Sequence, residues 1–169
     1  IVRTKLEDAV RKKSKGLYQV HYDKLAMDEV AGDLVVTNFS IQYDPAKYKA
    51  MQEAGSTPPA LLKIHIPSII VSGVKTPRAL LNKEIVGKNL QIINPVIDII
   101  YTYAGRDSAR NVPTKEVYEE ILGDLNLIKI DSLLISNASI TTRDIKTGEI
   151  KVELKHTSVQ LQDVMVDST

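Results

Sequence analysis

The three histidines are the residues of this chain best suited to acid–base or metal chemistry, and their spacing keeps them apart. His21, His65 and His156 form no His-x-His or His-x-x-x-His pair and have no carboxylate cluster beside them. Strand-like alternation places His65 and His156 at polar-facing positions. The spacing therefore predicts surface histidines and no metal site.

Residues for nucleophilic or phosphate chemistry are equally dispersed. Cysteine is absent, no serine lies in a Gly-x-Ser-x-Gly turn, and the eight glycines form no phosphate-binding loop. The acidic pairs Glu119 with Glu120 and Asp23 with Asp28 are better explained as a solvated helix face and as turn residues. We therefore predict that the chain is not an enzyme and needs no cofactor.

The densest charge is a basic segment formed by Arg11, Lys12, Lys13 and Lys15. Such a cluster can lie beside anionic lipid headgroups, which contributes roughly 1 kcal/mol per basic residue. It can equally be a solvated helix end whose cations favour the negative end of the helix dipole. The net charge of +1 excludes the strong positive field of a nucleic-acid-binding domain.

Composition favours one domain, residues 1–169, built mainly from aliphatic strands. Hydrophobic residues make up 43% of the chain, yet Phe occurs once and Trp is absent, so Ile, Leu and Val must fill the core. No apolar run reaches the roughly 18 residues of a membrane helix. Because the chain opens without Met on a basic, helix-like segment, we expect a signal or membrane anchor upstream.

Periodicity and turn residues divide the chain into alternating helices and strands. Gly16 and Gly87 are predicted to end helices, and a polar loop is expected at 104–113. Helices are predicted at 2–14, 45–54, 77–86 and 114–125; strands at 18–22 and 34–41 as a hairpin, at 61–74 and at 90–103, and at 127–142 and 149–166 as a long hairpin.

Two strand segments repeat: LVVTNFSI at 34–41 matches LLISNASI at 133–140, and IHIPSIIVSGV at 64–74 matches IKIDSLLISNA at 128–138. Within each unit the apolar alternation slips, which a bulge or bend would correct. Residues that accept positive φ stand at corresponding places: Asn38, Gly73, Asn94 and Asn137. We predict an α+β fold: a long, strongly curved antiparallel sheet of repeated bent strands, partly wrapped by three to four short helices.

Four segments carry a resemblance to a known family. They are LEDAVRKKSKGLYQVHYDKLAMDEVAGDLVVTNFSIQYD, LKIHIPSIIVSGV, VGKNLQIINPVIDII and LGDLNLIKIDSLLISNASITTRDIKTGE, which together span most of the chain. Their order resembles the N-terminal region of the AsmA-like family of bacterial envelope proteins, in the forms found in Bacteroidetes-type genomes. These proteins are similar to bridge-like lipid carriers, whose curved sheets hold acyl chains in an apolar groove. The resemblance implies no catalytic residue.

The resemblance implies a domain in the periplasm, tethered to the inner membrane by an N-terminal helix that precedes this chain. It implies lipid handling or outer-membrane maintenance, with phospholipid or another envelope lipid, and envelope proteins, as partners. The side chains expected to contact acyl chains are Ile64, Ile66, Ile69, Val71, Ile92, Ile97 and Ile99.

Other interpretations stay open at this point. The same aliphatic residues can form a dry core covered by the helices at 77–86 and 114–125. The domain can also be a scaffold that holds partners through exposed sheet edges or the 104–113 loop. An enzyme of an unrecognised type is a third class.

Overall fold

The computed structural model describes residues 7–8, 10–12, 14–28, 30–74, 84–102 and 127–167. A short helix, α1, lies within residues 7–12, and a second, α2, spans Pro45–Glu53. The strands are β1 (Tyr18–His21), β2 (Lys24–Asp28), β3 (Asp33–Tyr43), β4 (Ala60–Ser72), β5 (Glu84–Ile93), β6 (Val96–Tyr101), β7 (Leu127–Asp144) and β8 (Ile150–Asp167).

All eight strands belong to a single sheet. β1 and β2 lie end to end against β3, which pairs with β4; β5 and β6 then lie end to end between β4 and β7, and β8 pairs with β7. The pairings of β7 with β5 and β6 are parallel, and the others are antiparallel. A parallel pair needs a long crossover connection, and residues 102–126 provide the length for one.

The prediction of an α+β fold is wrong. Among the described residues the structure is mostly β, with 66% strand and 12% helix, two short helices and one mixed eight-stranded sheet. The helices expected at 77–86 and 114–125 fall largely or wholly outside the described residues, as does the loop at 104–113. Residues 84–86, assigned to the first of those helices, instead begin β5.

Gly87 explains why that local assignment failed. It was predicted to stop a helix, but it lies buried within β5, paired with Ile130 of β7. A Cβ at this position would lie 3.1 Å from Val71 Cγ1 and 3.3 Å from Ile130 Cδ1. Glycine is therefore needed for close packing between strands and not for a helix cap.

Other elements agree with the sequence. α2 begins at Pro45 after Asp44, whose Oδ1 accepts hydrogen bonds from the backbone N–H groups of Ala46 and Lys47. The hairpins β1/β2–β3 and β7–β8 form as predicted. The strand predicted at 90–103 is instead divided into β5 and β6 at Asn94 and Pro95.

The main core lies at one side of the sheet, where both helices pack. Val10 of α1 and Tyr48 of α2 belong to the same buried cluster as Ile41 of β3 and Leu62 of β4. The phenol oxygen of Tyr18 in β1 accepts a hydrogen bond from the backbone N–H of Leu62 at 3.1 Å. The helices therefore cover the β1–β4 side of the sheet.

The close approach at Gly87 predicts a packing defect on substitution. Gly87→Ala should lower the free energy of unfolding by about 1 to 3 kcal/mol, because the added methyl overpacks the contact with Val71. Adding Val71→Ala should recover part of the loss, since the two changes share one space. Urea denaturation of both single variants and the double variant measures the coupling, and strictly additive effects would contradict the packing explanation.

Candidate functional site: an aliphatic face crossed by a row of positive-φ residues

Four residues in four different parts of the sheet have positive φ at matching positions. They are Asn38 (φ 51°) in β3, Asn94 (53°) between β5 and β6, Asn137 (54°) in β7 and His156 (53°) in β8. We call them the positive-φ row. The prediction of positive φ at Asn38, Asn94, Asn137 and Gly73 is confirmed, although Gly73 (φ 69°) follows the end of β4 and lies outside the row.

The register sets Asn38, Asn94 and Asn137 on one line from β3 to β7, and the pairing of β7 with β8 shifts register on either side of Ala138, beside His156. Asn38 stands opposite Pro67, since the pairs on either side are Thr37 with Ser68 and Phe39 with Ile66. β4 continues in unchanged register from β5 to β6, so no residue is inserted on either strand at this line. The same offset joins β5 and β6 to β7, which sets Asn94 beside Asn137.

Side-chain hydrogen bonds connect the row. Asn137 Nδ2 donates to Asn94 Oδ1 at 2.9 Å, and Asn137 Oδ1 lies 2.6 Å from His156 Nδ1. Asn137 also donates its backbone N–H to Ser158 Oγ at 3.1 Å. The amides thus stabilise the residues that interrupt the pleat, and His156 has a hydrogen-bonding partner in Asn137.

The break in each strand changes which residues share a face. Alternation would put Ile64 and Ile69 on opposite faces, because five positions separate them, but both pack against the same core cluster. Val36 and Ile41, on β3, likewise belong to that cluster. The predicted bend therefore does bring apolar residues from both halves of a strand to one face.

The register extends this face across the sheet in four cross-strand rows, which together we call the aliphatic face. Cα partners in neighbouring strands direct their side chains to the same side. Read from β3 to β8, the first three rows are Leu34, Val71, Leu90, Leu133 and Leu161; Val36, Ile69, Ile92, Ile135 and Val159; and Ile41, Ile64, Ile97, Ile140 and Leu154. The fourth, from β4, is Leu62, Ile99, Thr142 and Val152.

Exposure rises along these rows from the core to the outer strand. Ile41 is 1% exposed and Val36 is 9% exposed, whereas Val159 is 40%, Leu161 46% and Leu154 47% exposed. Single exposed apolar residues are common, but a contiguous group in register is not. The aliphatic face is therefore a dry core at β3 and an open apolar surface at β8.

The seven residues expected to contact lipid lie in or beside these rows. Ile64 and Ile97 lie in the third row, and Ile69 and Ile92 lie in the second. Val71 lies in the first row and Ile99 in the fourth. Ile66 stands opposite Phe39 at the positive-φ row. Sequence reasoning missed the exposed part on β8: Val152, Leu154, Val159 and Leu161.

The opposite face is mixed, since it carries the buried pair Leu61 and Ile100 and also the half-buried Ile70 and Leu134. One of its rows joins Lys63, Asp98, Thr141 and Glu153, and Arg143 Nε donates to Asp98 Oδ1 at 2.9 Å. Charged side chains on this face are thus concentrated in the row that contains Asp98. Within the described residues, no group of three or more His, Asp or Glu side chains could hold a metal ion.

The basic residues lie at the end of α1, which packs on the β1–β4 side of the sheet and not beside β8. Arg11, Lys12 and Lys15 are exposed, and Lys13 lies outside the described residues. Arg11 pairs with Asp8 at 2.9 Å. Lys15 and Lys47 line a depression of about 260 Å³ beside α2, below the roughly 300 to 1,000 Å³ of ordinary small-molecule pockets.

A polar contact on the strand carrying Asn38 perturbs one carboxyl group. Asn38 Nδ2 donates to Asp23 Oδ2 at 2.6 Å, which lowers the pKa of Asp23; desolvation opposes this shift, and a hydrogen bond from His21 adds to it. The side chains of Asp23 and His21 are 55% and 67% exposed. Asp23 is therefore a surface carboxylate tied to the sheet and not a poised acid.

In comparisons with known proteins, no family model and no curated protein matches the chain. Among the described helices, none is long and apolar enough to cross a membrane.

The positive φ of Asn137 predicts how substitutions at this position change the stability of the fold. Asn137→Val should lower the free energy of unfolding by about 2 kcal/mol or more, because positive φ costs a side-chain-bearing residue about 1 to 2 kcal/mol and hydrogen bonds are lost as well. Asn137→Gly should cost about 1 kcal/mol. Chemical denaturation measures both, with Ser136→Val as the control, and a glycine variant less stable than the valine variant would contradict the conformational explanation.

The contact of Asn38 with Asp23 predicts a change at acid pH. Because the pKa of Asp23 is lowered on folding, its carboxylate stabilises the fold above the unfolded pKa, and this contribution is lost as pH falls through the folded pKa. Asn38→Gly keeps positive φ and removes the donor, so the pKa of Asp23 should rise. Carbon-detected NMR titration measures it; Asn94→Gly, which removes an amide elsewhere in the row, should leave this pKa unchanged.

Proposed function

We propose that this domain holds the acyl chains of a lipid against the open part of the aliphatic face, between β7 and β8. The observation that carries the proposal is the exposure gradient along the rows. Apolar rows normally give way to polar side chains where a sheet becomes exposed to water. Here Leu154, Val159 and Leu161 continue the rows on the outer strand, and more than a third of each residue is exposed.

Chemistry on the two faces supports a lipid better than a soluble small molecule. The aliphatic face offers Ile, Leu and Val with few polar groups, which suits a flexible chain of methylenes and gives no directional recognition. Each methylene removed from water contributes about 0.8 kcal/mol, so a few rows suffice for measurable binding. On the opposite face, the row of Lys63, Asp98 and Glu153 provides charged groups that favour contact with water.

The resemblance to AsmA-like envelope proteins remains part of this proposal. On this resemblance we propose a domain of the periplasm, tethered by a preceding membrane helix, in lipid handling or maintenance of the outer membrane. The exposed cations Arg11, Lys12 and Lys15 at the end of α1 are consistent with a surface near anionic headgroups, where each would contribute roughly 1 kcal/mol. No residue of the domain is assigned a catalytic role.

Paired variants on β8 test the lipid surface. Leu161→Asp places a charge on the aliphatic face, and Gln160→Asp places the same charge one position away on the opposite face. With a phospholipid that carries a fluorescent acyl chain, Leu161→Asp should weaken binding about tenfold, which corresponds to about 1.4 kcal/mol. Gln160→Asp should bind like the unaltered chain.

Native mass spectrometry of the purified chain provides a second measurement. Co-purified lipid should be present in the unaltered chain and depleted in Leu161→Asp, with circular dichroism confirming that both variants keep their strand content. Equal weakening by both aspartates would indicate a charge effect without a lipid surface. Absence of co-purified lipid together with no binding of the fluorescent phospholipid would overturn the proposal.

A further inference from the structure

β8 is the outer strand of the described sheet; it carries Lys151 and Lys155, which discourage unspecific pairing, but it is long and lacks proline. It runs for 18 residues and pairs among the described residues with β7 alone. Nearly all of its described side chains are exposed. Such an edge presents unpaired N–H and C=O groups to any strand of matching pattern.

The sequence of β8 matches itself in antiparallel orientation. When Leu154 of one copy stands opposite Val159 of the other, Val152 stands opposite Leu161. By symmetry this arrangement gives four apolar pairs, all on the aliphatic face. Opposed apolar side chains stabilise an antiparallel pair by about 0.2 to 1 kcal/mol each.

The opposite face is compatible with the same register. Lys151 then faces Gln162, Glu153 faces Gln160 and Lys155 faces Ser158, so no two like charges are opposed. A shift by one residue would set the apolar side chains against polar ones on the other face. A shift by two residues in one direction would set Leu154 opposite Thr157, and a shift by two in the other direction would set Val152 opposite Asp163.

The interruption of the pleat at His156 also fits this register, whereas the second positive-φ residue of β8, Asp163 (φ 52°), stands opposite Ile150 at the start of the strand. His156, with φ 53°, then stands opposite Thr157 of the second copy, and the two interruptions lie side by side at the symmetry axis. The positive-φ row would thus continue from one sheet into the other. A partner strand with uniform pleat would mismatch β8 on one side of His156.

We propose that the chain forms a two-fold symmetric dimer through antiparallel pairing of β8 with β8 of a second copy, in the register that opposes Leu154 with Val159. An isologous interface of this kind uses the same strand twice and closes the exposed edge. It joins the two aliphatic faces into one continuous surface. The proposal does not rest on lipid binding, since backbone pairing and opposed side chains carry it.

Cysteine pairs test the register directly, because the chain contains no cysteine of its own. Opposed residues of an antiparallel pair have Cα atoms about 4.5 to 5.5 Å apart, within the range of a disulfide. A mixture of the Glu153→Cys and Gln160→Cys chains should form a covalent dimer on mild oxidation. The mixture of Glu149→Cys with Gln160→Cys, four positions out of register and therefore about 13 Å apart, should not.

Sedimentation equilibrium of the delipidated chain gives an independent result. The unaltered chain should show twice the monomer mass of 18.7 kDa, and Leu154→Lys, which places a cation at two of the four apolar pairs, should shift the equilibrium to monomer at least tenfold. A monomer at high concentration, or equal cross-linking of both cysteine mixtures, would overturn the proposal and leave the edge to a strand from another protein. Lipid binding is measured separately, so the two proposals fail independently.

Discussion

The pleat of this sheet is interrupted along one line, and the placement of nearly every apolar side chain depends on it. A single residue with positive φ shifts strand alternation by one position while the cross-strand pairing continues. If only one strand did this, its side chains would leave the common face. Because Asn38, Asn94 and Asn137 interrupt the pleat in register, the faces of the strands from β3 to β7 stay matched on both sides of the line, and His156 lies where the register of β7 with β8 shifts.

Different residues satisfy this constraint in different strands. Asparagine does so in three places, and its side-chain amide adds hydrogen bonds between strands that a glycine could not make. In β4 the residue on this line is Pro67, which has no backbone N–H that could be left without a hydrogen-bond acceptor. β5 and β6 meet it with Asn94 followed by Pro95, a fully buried residue. The line is thus built from side-chain chemistry as well as from backbone geometry.

Much of the strand pattern was predictable because its determinants are local. The slipped alternation between Ile66 and Ile69 and between Ile130 and Leu133, with the ability of Asn to adopt positive φ, predicted a bend that brings apolar residues to one face. The parallel pairing of β7 was not predictable, since it depends on a crossover of about 25 residues that no local signal reports. The start of β5 was misassigned because Gly87 resembles a helix stop until its contact with Val71 is known.

The candidate surface shows the same division between local and nonlocal signals. Ile64, Ile69, Ile92 and Ile97 could be identified from spacing alone, but which strands lie beside them could not. The exposed residues of β8 were missed because their apolar positions shift at His156, a residue type that gives no signal for positive φ. Burial of β3 and exposure of β8 follow from where the helices pack, which a strand pattern does not reveal.

The row also bears on how wide such a sheet can become. Each strand repeats one simple rule: apolar residues at alternate positions, an interruption that tolerates positive φ or lacks an N–H, then apolar residues shifted by one. Nothing in this rule refers to the number of strands, so the sheet has no internal limit on lateral growth. Its width is set by whatever occupies the outer edge, and a segment obeying the rule could lengthen the aliphatic face by one strand spacing, about 4.8 Å, without changing any existing contact.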